Sequence, residues 1–78
     1  MLEKELMLDT IDKVRSFVDI ANSKDYDIEL ISGKYVANGK SIMGVFGLNL
    51  TKPVIMVAHC ETQAELMKQI KPFLNESK

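Results

Sequence analysis

Seventy-eight residues are enough for one domain with a modest core, since a chain this short buries only a little over ~60% of its unfolded surface. The formal net charge of -1, with 46% apolar and 27% charged residues, excludes a strongly basic nucleic-acid or membrane-surface binder. One cysteine cannot close an internal disulfide, no signal peptide leads the chain, and no apolar run approaches ~20 residues, so a cytoplasmic address is expected.

Residues Met1 to Leu8 alternate, with Leu2, Leu6 and Leu8 on one parity, and predict a strand. Lys4 on that same parity predicts a frayed start. Asp9 and Thr10 are both good N-cap residues. Ile11, Val14, Phe17, Val18 and Ala21 then recur at helical spacing and predict a helix down to about Lys24. Asp12 in its first turn and Lys24 in its last suit the helix dipole.

Asn22-Ser23-Lys24-Asp25 reads as a loop. Asp27 to Ser32 alternates again, with Ile28 and Leu30 inward. Ser32-Gly33-Lys34-Tyr35 suits a hairpin turn with Gly33 first, as type II′ prefers. Tyr35, Val36 and Ala37 form a short strand.

The next stretch, Asn38 to Leu48, combines an Asn-Gly turn signal, a serine and a dense apolar run broken by two glycines. Asn38-Gly39 predicts a tight turn with positive φ. Ser41 then caps a short helix. Ile42, Met43, Val45, Phe46 and Leu48 are too many apolar residues for one face of so short an element, so some belong at the surface. Ile42, Met43 and Phe46 are the candidates for an exposed docking patch, Met43 above all, because a flexible thioether suits a surface that meets several partners. Ser41 beside them is a candidate phosphorylation site. Gly39-Lys40-Ser41 is not a P-loop ending, because Gly33 is one residue too far upstream and no long helix follows.

Thr51-Lys52-Pro53 is a loop. Val54 to Cys60 is nearly all apolar and predicts a central strand. Its parity sets Ile55, Val57 and His59 opposite Val54, Met56 and Ala58. If the first set lies on an uncovered sheet face, it offers a small apolar strip for a weak homodimer or a partner. His59 and Cys60 are adjacent and point apart in a strand, so no dyad forms, and with no second ligand nearby no metal site is expected. Thr62-Gln63-Ala64-Glu65 fits a capping box. Leu66, Met67, Ile70, Phe73 and Leu74 then share a helix face, with a kink or break expected at Pro72.

The order strand, helix, strand, strand, short helix, strand, helix predicts an α+β fold with helices on one face of a mostly antiparallel four-stranded sheet. A ferredoxin-like ligand-binding or oligomerisation module shares that order.

Lys40-Ser41-Ile42-Met43-Gly44-Val45, with Asn38 ahead of it, resembles the regulatory-serine segment of HPr, the small phosphocarrier of the bacterial sugar phosphotransferase system. A weaker resemblance in element order and spacing runs from about Val14 to Phe73. It implies an open-faced β-sandwich formed by a single domain, residues 1–78. It also implies that Ser41 is phosphorylated by an HPr-type serine kinase/phosphorylase, and that Ile42, Met43 and Phe46 dock a protein regulator. HPr carries its phosphoacceptor in a Gly-x-His-Ala-Arg-Pro segment at the start of its first helix. The corresponding Leu8-Asp9-Thr10-Ile11-Asp12-Lys13 has no histidine, and an ungapped count from Ser41 places Thr10 in the histidine's position and Asp12 in the arginine's. A carboxylate repels a phosphoryl group where arginine attracts it. The expected protein is therefore a non-catalytic, cytoplasmic, HPr-like regulatory module needing no cofactor. The alternative is a phosphocarrier using Thr10 or His59.

Overall fold

The computed structural model describes residues 1–75. The first strand, β1 (Leu2–Leu6), keeps the expected alternation: Leu2 and Leu6 are buried, Glu3 and Glu5 exposed. Lys4 shares the leucines' parity and is half-buried. The helix α1 (Ile11–Asn22) buries Val14, Phe17, Val18 and Ala21. Ile11 was expected on that face and is exposed instead. At 3.6 residues per turn it points about 70° away from the centre of the buried stripe. The helix also stops short of Lys24: Ser23 is the C-cap, and the Lys24 ammonium reaches Glu65 at 3.5 Å.

A hairpin follows, with β2 (Ile28–Ser32) and β3 (Tyr35–Asn38) antiparallel and Ser32 opposite Tyr35. Gly33 takes φ 61°, the left-handed conformation that the turn requires. The short helix α2 (Ile42–Phe46) buries Val45. The strand β4 (Val54–Ala58) is shorter than the Val54 to Cys60 run predicted; beyond it the His59 amide donates to the Asp27 carbonyl at 2.9 Å.

The helix α3 (Ala64–Ile70) starts without the expected capping box. Gln63, not Thr62, holds the cap position, makes no cap bond, and donates its amide to the Met1 carbonyl at 3.2 Å. One 3-10 turn, Lys71–Phe73, takes the chain past Pro72 and leaves Phe73 buried, edge-on to Phe17 at 6.3 Å and 84°.

The strands pair in the order β1-β4-β2-β3, each neighbour antiparallel, so β4 is central as expected. The helices cover one face. There Leu6, Leu30, Val54 and Met56 meet Val14 and Phe17 from α1, Val45 from α2, and Leu66 and Ile70 from α3. The fold is an α+β open-faced sandwich.

Candidate functional site

Ser41 sits at the N-terminus of α2, with φ -108° and ψ 111°, the extended backbone of a cap. Its Oγ accepts a hydrogen bond from the Gly44 amide at 3.2 Å, and its carbonyl accepts from the Val45 amide at 3.0 Å. A serine in the middle of a strand would have favoured the ferredoxin-like alternative; Ser41 caps a helix instead.

The turn leading into Ser41 is bound on three sides. The Ser41 amide donates to the Asn38 carbonyl at 3.0 Å, and the Lys40 amide donates to Asn38 Oδ1 at 2.9 Å. Asn22, at the end of α1, donates its side-chain amide to the Lys40 carbonyl and to the Val18 carbonyl, both at 3.0 Å. The Lys40 ammonium donates to the Lys24 carbonyl at 2.9 Å. Ser41 is thereby fixed against the C-terminal end of α1.

Gly39 does not take the positive φ that Asn-Gly predicts; Gly33 alone does so among the described residues. A glycine is needed at 39 for a different reason. Its amide donates to the Ile28 carbonyl at 2.7 Å, and a Cβ there would lie 3.0 Å from the Ile28 carbonyl oxygen and 3.0 Å from Ile28 Cγ2.

Around Ser41, Ile42, Met43 and Phe46 are 36%, 79% and 42% exposed, while Val45 anchors the helix in the core. Ile42 and Phe46, four residues apart, share one face, with Met43 beside Ile42. Asn22 and Lys40 were not singled out from sequence as parts of this site. Their contacts span 18 and 16 residues, and no periodicity marks such pairs.

Thr10 caps α1, its Oγ1 accepting from the Lys13 amide at 3.1 Å. The Lys13 ammonium donates to Asp9 Oδ1 at 3.0 Å, and this hydrogen bond holds the Asp9 carboxyl below its ordinary value of 3.8. Asp9 and Asp12 make this helix start acidic. His59 lies elsewhere: its Nε2 is 3.6 Å from Glu29 Oε1, on the sheet face that the helices leave bare. The fold therefore does not bring Thr10 and His59 together. Cys60 is buried, and burial, then Cys60 and the nearby Glu65 and Asp25 carboxylates, push the Tyr26 phenol upward. Among the described residues, no three His, Cys, Asp or Glu side chains gather as a metal site, and no helix is long and apolar enough to cross a membrane.

No protein-family model matches the sequence, and no curated protein matches it. Solved structures do. HPr-C-His from Thermoanaerobacter tengcongensis superposes with a TM-score of 0.75 at 22% identity, over 92% of this chain and 89% of that one. Crh, the Bacillus subtilis catabolite repression containing protein, superposes with a TM-score of 0.62 at 23% identity, over 96% of this chain and 90% of that one. Crh was solved as a swapped-domain dimer. The chain has the HPr fold.

Proposed function

We propose that this chain is a non-catalytic regulatory module of the phosphotransferase-system type, switched by phosphorylation at Ser41. The observation that carries the reading is the serine's position. It caps a short helix whose other exposed residues, Ile42, Met43 and Phe46, are large and apolar, on an HPr-like fold.

The switch works by local charge. A serine kinase/phosphorylase of the HPr type transfers the γ-phosphoryl group of ATP to Ser41 Oγ; the hydroxyl proton leaves and ADP departs. The ester places roughly two negative charges beside the apolar trio. Its oxygens meet the free amides at the start of α2, which favour an anion. A protein regulator that docks on Ile42, Met43 and Phe46 then senses an apolar patch in one state and an apolar patch with an adjacent dianion in the other. That difference sets which partner binds. In this reading the protein is bacterial and cytoplasmic, and a weak homodimer accompanies it, by analogy with the swapped-domain dimer of Crh.

The phosphocarrier alternative is less well supported. Thr10 Oγ1 is engaged as a cap, and two carboxylates flank the place where a phosphoryl group would sit. His59 is paired with Glu29 on the other side of the sheet.

The test is intact mass after incubation with ATP and an HPr-type serine kinase/phosphorylase. One added phosphate, absent from a folded Ser41→Ala protein, is the expected result. A folded wild-type protein that stays unmodified overturns the proposal. Labelling by phosphoenolpyruvate through enzyme I would favour the phosphocarrier instead.

A further inference from the structure

The bare face of the sheet has its own chemistry. The pairing register places Glu5, Ile55, Ile31 and Val36 side by side in one row across the four strands. The neighbouring row is Glu3, Val57, Glu29 and Asn38. Ile55 and Val36 are 37% and 61% exposed, and Ile31 between them is half-buried. Val57, flanked in the register by Glu3 and Glu29, is buried although no helix covers it.

Every charged strand residue on this face is a carboxylate. At the β2–β3 end a shallow depression of about 290 Å³ is lined by Asp27, Glu29, Val36 and Asn38, among others, and adds a fourth acid. His59 Nε2 lies 3.6 Å from Glu29 Oε1 at this end.

We propose that this face docks a basic, amphipathic segment of another protein. Its apolar side chains lie on Val36, Ile31 and Ile55, and its lysines or arginines meet Glu29 and Asp27 in the depression and Glu3 and Glu5 at the other flank. The charge distribution chooses the occupant. A second copy presenting the same face would set acid against acid, and nucleic acid or an anionic lipid surface would be repelled in the same way. The sheet itself lies between this surface and α2, so both can be occupied at once.

The probe is an eight-residue synthetic peptide alternating valine and arginine, titrated into the ¹⁵N-labelled protein. Its controls are valine–glutamate and serine–arginine peptides of the same length. The expected result is movement of the Glu29, Ile31, Val36 and Ile55 amides, with the Ile42–Phe46 amides unmoved. Binding should weaken with added salt. It should fall roughly tenfold in a Glu3→Gln, Glu5→Gln, Glu29→Gln variant, if three surface pairs are lost. Should that variant fail to fold, the salt series on the wild-type protein tests the same charge pairing, and binding that salt leaves unchanged overturns it. Equal binding of the glutamate peptide removes the charge recognition, and equal binding of the serine peptide removes the apolar row. Either result overturns the proposal. So does self-association without peptide that Ile55→Asp abolishes, because the occupant would then be a second copy.

Discussion

A methyl group at Gly39 would be tightly crowded. Its nearest neighbours would be the Ile28 carbonyl oxygen and Ile28 Cγ2 at 3.0 Å and the Phe17 ring at 3.3 Å. The Gly39 amide is already bonded to that carbonyl at 2.7 Å, so the two backbones cannot simply part. Gly39→Ala must therefore displace β2 or a core ring, and the expected cost is about 1–3 kcal/mol, the range for overpacking. Urea denaturation of the two proteins checks it; an unchanged midpoint would mean that the turn moves freely. Asn38-Gly39 reads from sequence as a turn, and a turn is present. The reason for the glycine was not legible, because it depends on Ile28, eleven positions earlier. Ser41 was legible because its cap closes over three residues, a distance that a local pattern records. Asn22 was not, since its reach to the Lys40 carbonyl is set only once α1 and the turn are packed together.

The C-terminal helical segment depends on one aromatic anchor. α3 ends at Ile70, where Pro72 would begin to cost a helical hydrogen bond, and the 3-10 turn accommodates the proline near its start. The turn directs Phe73 into the core against Phe17, an edge-on pair worth about 0.5–1.5 kcal/mol beyond its buried area. Phe73→Ala should cost about 3–5 kcal/mol. A domain of this size has a total stability on the order of 4–12 kcal/mol, so the variant is expected to melt far below the wild type. Circular dichroism melts of Phe73→Ala and Phe73→Leu test this, the leucine being much the milder of the two. A Phe73→Leu melt equal to that of the wild type would mean that the ring adds nothing beyond filler. The apolar spacing from Leu66 to Phe73 and the break at Pro72 were both readable, because helix period and proline sterics are local. The start of α3 was not. Thr62-x-x-Glu65 has the capping pattern, yet Gln63 takes the cap position and bonds to the Met1 carbonyl, 62 residues away. Ile11 failed for a related reason: helical spacing gives a face, and only packing decides how wide that face is.

At the scale of the whole molecule, the sheet has two edges, and they are treated differently. β3 is open and only four residues long. The β1 edge is tied to the chain after the 3-10 turn. The Met7 amide donates to the Phe73 carbonyl at 2.7 Å, Leu6 bridges Leu74, and the Asn75 amide donates to the Glu5 carbonyl at 3.0 Å. The sequence marked β1 and β2 by alternation and β4, as a central strand, by its apolar run, but it gave no full strand order. It gave no sign of this tie, because backbone bonds between remote segments leave no side-chain signature. The tie matters because β1 otherwise pairs with β4 alone. A strand held on one side can leave β4 and be replaced by the same strand of a second copy, with every β1–β4 hydrogen bond remade between chains. Asn75→Pro removes the donor to Glu5, and Leu74→Asp disfavours the bridge; together they should weaken the tie by about 1–3 kcal/mol, one to two net hydrogen bonds with some apolar contact. The double variant is expected to exchange the amide hydrogens of β1 faster than the wild type, while those at the β2–β4 pairing stay protected. It should also show a dimer in sedimentation velocity at high concentration, as exchange of β1 requires. Unchanged β1 protection would mean that β4 alone holds the strand, and faster exchange with no dimer would mean that the freed strand frays without finding a second copy.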